Sequence, residues 1–403
     1  MRSPYGVGVA SQEVRLRPQL RYIRAMDSDP SSVDLGRMIE DIRRWVETES
    51  PTSDVAAVNR MIDLVAAGLD GLPVQIERLH GRAGFADTLR VRTAEAGDLP
   101  GILILSHVDT VHPIGTLAGA LPFRRDGDRL YGPGLYDMKG GAYLAYEAMR
   151  QVVAARSSRL PIVYLFTPDE EVGSPSTREL IESEGRRARF VLVTEPARDG
   201  GKCVTSRKGV GRFAMTATGV PAHSGGSHQR GRSAIKEMAR QVLAIEGMTD
   251  YARGITTSVG MISGGTAANV IPQFCEITID LRVRDDGAGR EMTAKILGLQ
   301  PHDPDVRLLV TGEMNRPPFE KSPAIDQLFR HARALARDIG FDLADTRMTG
   351  GGSDGNFTAA LGVPTLDGLG IDGDGAHTEW EHGLISSIEP RTLLMRRLLE
   401  TLG

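Results

Sequence analysis

Three apolar runs in this chain each lead directly into residues that could carry out chemistry. GILILS leads into His107 and Asp109, PIVYLFT into Glu170 and Glu171, and FVLVT into Glu195. Short, continuous apolar runs of this kind are typical of buried strands in a parallel sheet. Ligands of open α/β sheets bind beyond the carboxyl ends of the strands. The sequence therefore predicts that His and carboxylate side chains from three segments meet in one crevice.

Two further segments contribute candidates of the same type. YGPGLYDMKGG places Asp137 in a glycine-rich turn before a predicted helix, and GDGAHTEWEH places His377 on a glycine-rich loop. Two His and several carboxylates form a ligand set suited to divalent zinc, cobalt or manganese. A pair of ions roughly 3.5–4 Å apart needs a bridging carboxylate, which Asp137 can supply. His107 and Glu195 would then bind one ion, and Glu171 and His377 the other.

Two carboxylates near these candidate ligands remain for other roles. Glu170 is adjacent to Glu171, and neighbouring side chains in a turn diverge, so one can bind metal while the other holds the reacting water. Asp109 follows His107 by two residues and can orient its imidazole without touching the metal. An isolated His-x-Asp or Glu-Glu pair is usually a solvated surface feature. The combined placement at strand ends is what favours a catalytic site.

The elements that position these residues follow from the periodicity of the sequence. Apolar strands at 101–106, 161–167 and 190–194 alternate with helical stretches at 140–155 and 176–185. This alternation predicts an α/β fold with a mostly parallel central sheet and helices on both faces. Two amphipathic helices precede it. Two more helical patterns follow near the carboxyl end, at 323–339 and 387–402.

The pattern changes character near Ser206. Alternating strands are predicted at 210–219, 255–263, 274–284 and 306–310, and helices at 233–246 and 287–297. We predict an inserted α+β domain at 206–315. The catalytic domain would then comprise 33–205 and 316–403, and residues 1–32 would form an N-terminal extension.

Composition excludes several classes of protein. The chain has 403 residues, a length typical of two or three domains, and a net charge of −4, which argues against a nucleic-acid-binding face. Two Cys exclude a disulfide framework. We find no apolar run of 18 residues and no apolar secretory segment, so a membrane span is not expected and a cytoplasmic location is. Only six of the 48 basic residues are Lys, which makes Lys208 conspicuous.

Eight motifs in order resemble a family of dinuclear-zinc metallopeptidases that includes glutamate carboxypeptidase, acetylornithine deacetylase, succinyl-diaminopimelate desuccinylase and aminoacylase. The resemblance spans 33–403 and is closest to the glutamate carboxypeptidase group. It rests on SHVDTVHPIGTLAGALPFRRDGDRLYGPGLYDMKGG, LFTPDEEVGSPSTRELI, LVTEP, SRKGVGRF, GVPAHSG, GRSAIKEMA, GGTAANVIPQFCEITIDLRV and GGGSDGNFTAALGVPTLDGLG. It implies a zinc-exopeptidase-like catalytic domain and two divalent ions per subunit, zinc first and manganese or cobalt as alternatives.

The resemblance also implies roles for individual residues of the catalytic domain. The five ligands would be those assigned above, with Asp137 bridging and its peptide bond to Met138 cis. Glu170 would be the general base, taking a proton from the water that the two ions acidify and returning it to the leaving nitrogen. The expected reaction is hydrolysis of a C–N bond in a small carboxylate-bearing substrate, by an N-acyl amino acid amidohydrolase or a carboxypeptidase.

By the same resemblance, the inserted domain would be a lid that also serves dimerisation, and it would contribute further residues. His223 would reach the scissile group of the partner subunit and stabilise negative charge there, so a homodimer or larger homo-oligomer is expected. Asn269 would contact substrate, and Arg282 would bind the substrate carboxylate through its guanidinium fork. The glycine loop with Gly351 and Gly352 would line the substrate site.

One departure from the family pattern bears on the substrate. Tyr136 stands before Asp137, where a small or aliphatic residue is usual, and a phenol beside the metals could stack on or hydrogen-bond a substrate. This feature leaves open an alternative chemistry, hydrolytic deamination of an activated aromatic amino acid such as an aminobenzoate. A second alternative is a non-catalytic binding relative, which should lack Glu170 or a metal ligand; this chain has all of them.

Overall fold

The structure is a computed structural model that describes residues 33–93 and 99–403, so the predicted extension 1–32 lies outside the described residues. The strands, in chain order, are β1 (Val74–Leu79), β2 (Thr88–Thr93), β3 (Gly101–His107), β4 (Arg124–Asp126), β5 (Arg129–Tyr131), β6 (Ile162–Thr167), β7 (Ala188–Val193), β8 (Gly209–Thr218), β9 (Ala222–His223), β10 (Thr256–Gly264), β11 (Val270–Ile271), β12 (Phe274–Val283), β13 (Arg307–Arg316), β14 (Thr365–Leu366), β15 (Gly373–Asp374) and β16 (His382–Leu384). The α-helices are α1 (Leu35–Glu47), α2 (Val55–Ala67), α3 (Gly140–Ala155), α4 (Arg178–Arg187), α5 (Ala234–Glu246), α6 (Asp286–Leu297), α7 (Pro323–Ile339), α8 (Gly355–Ala360) and α9 (Ile385–Thr401).

The larger sheet has the strand order β1-β2-β6-β3-β7-β14 in the described part of the chain. β6, β3, β7 and β14 are parallel, and β1 and β2 join the edge antiparallel. The three predicted apolar strands are therefore the central neighbours β6, β3 and β7. This confirms the prediction of a mostly parallel central sheet.

Alternate residues of β3 show that both faces of this sheet are covered. Leu103 and Leu105 pack in one apolar cluster with Ile181 of α4 and Phe357 of α8. On the other face, the hydroxyl of Ser106 lies 2.7 Å from that of Tyr164, which donates to a carbonyl of α3 at 2.9 Å. Every residue of β3 is buried, as expected for a strand between two layers of helices.

The smaller sheet is antiparallel, with the order β10-β12-β8-β13. Buried and accessible residues alternate along β8 and β12. The buried residues form one apolar core with those of α5 and α6, so one face is packed and the other is open. This is the predicted inserted α+β fold. Its proposed boundaries at 206 and 315 stay a prediction.

Two features of the fold were not expected. β1 and β2 have no counterpart among the predicted strands, because charged residues interrupt both, as in QIER of β1 and RVR of β2, and leave no apolar run. β13 extends to Arg316, well beyond the predicted 306–310.

The amides of Arg207 and Phe319 each donate to the other's carbonyl, at 2.9 and 3.0 Å, so the two chain crossings between the sheets run side by side. No helix in the described ranges is long and apolar enough to cross a membrane.

Candidate metal centre

The ends of the three central strands bring the predicted ligands together in two groups. Nε2 of His107 lies 3.3 Å from Oδ1 of Asp137 and 3.9 Å from Oε1 of Glu195. Nε2 of His377 lies 3.2 Å from Oε2 of Glu171 and 3.4 Å from Oδ2 of Asp137. Within each group the potential ligand atoms lie within 4.8 Å of one another. The two oxygens of Asp137 thus face different groups, as a bridging carboxylate requires.

These donors fit divalent metal ions in kind and in spacing. A tetrahedral zinc ion with bonds of about 2.0–2.2 Å places its donor atoms roughly 3.3–3.6 Å apart. The His–carboxylate separations fall close to this range. Oε1 of Glu171 is also buried and has no hydrogen-bond partner among the described residues. A buried carboxylate oxygen without a donor is costly unless a cation satisfies it.

The electrostatics of the cluster also favour bound cations. Burial raises the pKa of Glu171 to about 8, and the charge of Asp137 adds to this. The pKa of Glu195 is raised well above its usual value by burial and by the charges of Asp137 and Glu170. Burial also acts to raise the pKa of Asp137, but hydrogen bonds from His107 and His377 outweigh it and lower the pKa. Bound cations would relieve this crowding of negative charge.

Asp109 contacts both His107 and the Glu170–Glu171 turn. Nδ1 of His107 donates to the Asp109 carbonyl at 2.9 Å and lies 3.4 Å from its carboxylate, which leaves Nε2 free to bind metal. The Asp109 carboxylate accepts the backbone N–H groups of Glu170 and Glu171, at 3.2 and 3.3 Å, and the Thr52 hydroxyl at 2.7 Å. Asp109 therefore positions the turn through its carboxylate. It orients the imidazole chiefly through its backbone carbonyl.

Glu170 has a partner that the sequence did not reveal. Nη2 of the buried Arg316 lies 2.8 Å from Oε1 of Glu170 and 3.1 Å from its carbonyl oxygen. Nη1 of Arg316 donates to Asp354 at 2.9 Å. Burial raises the pKa of Glu170, and the Arg316 charge opposes this rise. In an arginine-rich chain, no spacing distinguishes this residue, which lies 146 positions from its partner.

Tyr136 does not take the substrate-facing position predicted for it. The residue is buried, and its hydroxyl donates to the carbonyl of Ala197 at 2.5 Å. Burial raises its pKa to about 12. The phenol thus anchors backbone beside Glu195 and presents no free group to a substrate. The following peptide bond, between Asp137 and Met138, is cis, as the resemblance implied.

The predicted lid residues His223 and Asn269 lie together, on the paired short strands β9 and β11 and the adjoining loop. The amide of Ser224 donates to the Asn269 carbonyl at 3.0 Å. Nδ1 of His223 accepts from the amides of Gly225 and Gly226, at 3.2 and 2.9 Å, which leaves the proton on Nε2. Both residues are exposed. Within the described part of one chain, no hydrogen bond or ion pair joins them to the metal-ligand candidates.

Arg282 and the glycine loop lie side by side at the junction of the two sheets. The Arg282 guanidinium binds Asp280 through two hydrogen bonds, of 2.7 and 2.8 Å, and reaches the carbonyl of Gly350 at 3.3 Å. A Cβ on Gly352 would lie 2.7 Å from Cδ of Arg316, so this position requires glycine for close approach. The fully buried Arg207, another residue missed from the sequence, donates to the Gly351 carbonyl at 3.1 Å.

The chain matches known proteins over most of its length. Residues 103–401 match the model of Peptidase family M20/M25/M40. Carboxypeptidase G2 of Pseudomonas sp. (strain RS-16) is 28% identical over 395 residues, covering 96% of this chain and 93% of that protein. A succinyl-diaminopimelate desuccinylase of Burkholderia multivorans is 30% identical over 301 residues, covering 70% of this chain and 76% of that protein.

Solved structures have the same fold. A tripeptidase from Staphylococcus aureus superposes with a TM-score of 0.70 at 20% identity, covering 91% of this chain and 98% of that one. An M20 family metallo-carboxypeptidase from Sulfolobus solfataricus gives 0.67 at 16% identity, covering 90% and 98%. The chain belongs to Peptidase family M20/M25/M40 and is a hydrolase that acts on carbon–nitrogen bonds.

Proposed function

We propose that this enzyme uses two divalent metal ions to cleave an amide bond in a small carboxylate-bearing substrate, either an N-acyl amino acid or a peptide that loses its C-terminal residue. The observation that carries the proposal is the pair of donor groups sharing Asp137, with Glu170 beside them. Family membership and the matched carboxypeptidase and desuccinylase support metal-dependent hydrolysis of amides.

The ligand assignment follows from the two donor groups. His107 and Glu195 would hold one ion, Glu171 and His377 the other, and Asp137 would bind both. We propose zinc, with manganese or cobalt as alternatives, because imidazole and carboxylate donors suit all three. Such ions, when bound, polarise a carbonyl oxygen and make a coordinated water acidic.

Glu170 is proposed to move the proton. Because Arg316 holds Oε1 at 2.8 Å, Oε2 is the oxygen available to take a proton from the attacking water. The raised pKa of the buried carboxyl lets Glu170 retain that proton and then deliver it to the leaving nitrogen. The Asp109 carboxylate keeps Glu170 in place by accepting a hydrogen bond from the backbone amide of Glu170.

The substrate carboxylate is proposed to bind where the glycine loop meets the lid. Arg282, predicted for this role, is already engaged by Asp280. The neighbouring ammonium of the half-buried Lys208 has no hydrogen-bond or ion-pair partner within the described residues. Burial and the charges of Arg282 and Arg284 lower the pKa of Lys208. An anionic substrate group would relieve this repulsion, so Lys208 is the better candidate for direct contact, with Arg282 beside it.

Changing Lys208 to Met is expected to raise KM for a carboxylate substrate about 10- to 100-fold, because a charge-assisted hydrogen bond contributes roughly 1.5–3 kcal/mol. The matching substrate with a neutral amide in place of the carboxylate should lose little. Lys202→Met is the control, because the Lys202 side chain is 40% accessible and contacts only Asp199, at 3.9 Å, among the charged groups that the structure describes. Equal KM changes for charged and neutral substrates would refute the assignment.

His223 is proposed to act across a dimer. The residue is exposed on the lid, and within the described part of its own chain it makes no hydrogen bond or ion pair with the candidate ligands. The proton-bearing Nε2 is therefore available to the active site of a partner subunit. There it would donate to the developing oxyanion, with Asn269 next to it.

Mixed dimers test this role of His223 directly. His223→Ala alone should lower kcat by about 10²–10³-fold, and Glu170→Gln alone should lower it by about 10²–10⁴-fold. Dimers formed from both variants should regain about a quarter of the wild-type activity, because random pairing makes half of them mixed and each mixed dimer has one complete site. Absence of recovery in a confirmed mixed dimer would place His223 in its own subunit's site or outside catalysis.

A substrate panel tests the proposed reaction. N-acyl amino acids, folyl-type glutamates, dipeptides and aminobenzoates would be assayed with zinc, manganese and cobalt, and we expect release of a free amino acid from the amides. Ammonia release from an aminobenzoate, with every amide intact, would establish the deaminase alternative instead. The buried, occupied hydroxyl of Tyr136 removes the feature that favoured it. Binding without turnover of any substrate would indicate the non-catalytic alternative.

A further inference from the structure

The buried carboxylate of Glu381 binds the loop that presents Asp137. Its Oε1 accepts the backbone N–H groups of Tyr136 and Asp137, at 2.8 and 3.0 Å. Its Oε2 accepts the N–H of Gly134 at 3.1 Å. The backbone at Asp137 is not helical, with φ −116° and ψ 94°, so the loop does not satisfy these amides through a regular helix. Glu381 supplies the acceptors that the loop lacks.

His112 completes this arrangement. Its Nε2 lies 2.7 Å from Oε2 of Glu381, and both side chains are buried. Because a carboxylate receiving three backbone amides acts only as an acceptor, His112 must donate this hydrogen bond through Nε2. The contact is charge-assisted and lies at the short end of the range for such bonds.

The pair joins three segments that carry candidate metal ligands. His112 lies five residues after His107, Glu381 lies four residues after His377, and the amides that Glu381 binds belong to the loop of Asp137. Asp137 needs this support, because its two oxygens must face His107 and His377 at once, at 3.3 and 3.4 Å. A rotation of the loop would improve one contact only by breaking the other.

We propose that Glu381 and His112 are positioning residues that hold Asp137 in the orientation required to bridge two ions and that fix the His377 loop against it. Neither residue touches a candidate metal position, so both act through Asp137 and the loops. The inference rests on the proposed dimetal function. It adds a requirement of this chain's own, namely that tight binding of both ions depends on a hydrogen bond between His112 and Glu381.

Zinc binding by folded variants tests the proposal. His112→Phe keeps an aromatic ring but removes the donor, and His112→Gln restores an N–H donor. Zinc affinity and ions per subunit would be measured by competition with a chromophoric chelator. We expect His112→Phe to bind at least one of its two ions about 10- to 100-fold more weakly and His112→Gln to recover most of the loss.

Glu147→Gln is the matched control, because Glu147 of α3 is a buried carboxylate that is bound by Arg37 of α1 and by Arg150 and Gln151, and it belongs to neither group of candidate ligands. It should lower the melting temperature without changing zinc affinity. If His112→Phe does not fold by circular dichroism, His112→Leu carries the same expectation, because it also removes the donor and has a smaller side chain. Two ions bound with wild-type affinity by a folded variant that lacks the donor at position 112 would overturn the proposal. Failure of the wild type to bind two ions would instead refute the dimetal function itself.

Discussion

Replacing Glu170 with Gln is expected to lower kcat by about 10²–10⁴-fold while leaving the bound metal in place. Gln has nearly the same shape, and its amide oxygen can still accept from Arg316, which lies 2.8 Å from the carboxylate in the wild type. It cannot take a proton from the attacking water or return one to the leaving nitrogen. The loss should therefore appear in kcat, with KM and fold little changed.

Glu184→Gln provides a matched comparison for this substitution. Glu184 is also largely inaccessible and is held by Arg90 and Arg92 of β2, so its substitution should affect stability and not turnover. Metal content per subunit and kcat at saturating substrate would be measured for both variants. Wild-type turnover by Glu170→Gln would remove Glu170 from its proposed role, whereas loss of metal would make it a ligand.

Removing the metal ions is expected to abolish turnover, and adding back zinc, manganese or cobalt should restore it. The effect should be complete, because without cations the buried carboxylates have nothing to orient or activate a nucleophile. Activity after exhaustive chelation would be plotted against ions bound per subunit. Undiminished hydrolysis by metal-free protein would contradict the proposed function.

The same cluster predicts how metal affinity depends on pH. Without metal, the pKa of Glu171 is raised from 4.5 to about 8 by burial, and that of His377 is raised from 6.5 to about 10 by hydrogen bonds with Asp137 and Glu171. Both groups must lose protons to bind metal. Zinc affinity should therefore rise with pH through about 8, with protons released on binding. Calorimetry in buffers of different ionisation enthalpy measures this release, and none at pH 7 would contradict the shifts.

The stability of the metal-free protein should change in the opposite direction. For both groups the folded-state pKa exceeds the unfolded value, so the folded state binds more protons between the two values. The contribution of Glu171 to the free energy of unfolding is complete below about pH 4.5 and is lost as pH rises to about 8. That of His377 is complete below about pH 6.5 and is lost as pH rises to about 10. Denaturant unfolding at several pH values, with and without zinc, separates this effect from metal binding.

The sequence was sufficient to predict which candidate ligands lie together, because apolar strands and the residues after them share one edge of a parallel sheet. His107, Glu171 and Glu195 need only that rule. It does not predict hydrogen bonds between distant loops. His112 and Glu381 are 269 positions apart, and Arg316 and Glu170 are 146 apart.

The direction of individual side chains was the other feature that the sequence did not predict. Tyr136 stands next to Asp137 in the sequence, which suggested that its phenol faces the substrate, but the turn directs it to the carbonyl of Ala197. Arg282 was expected to offer its guanidinium fork to a substrate, and Asp280, two residues away on the same strand, already occupies it. Spacing in a sequence does not determine which of two nearby acceptors a long side chain binds.

Anomalous diffraction from zinc-loaded crystals, recorded above and below the zinc absorption edge, tests the central claim most directly. Two peaks are expected per subunit, roughly 3.5–4 Å apart. One should lie between His107 and Glu195, the other between Glu171 and His377, with Asp137 bound to both. A single peak, or a pair of peaks that does not share Asp137, would contradict the account.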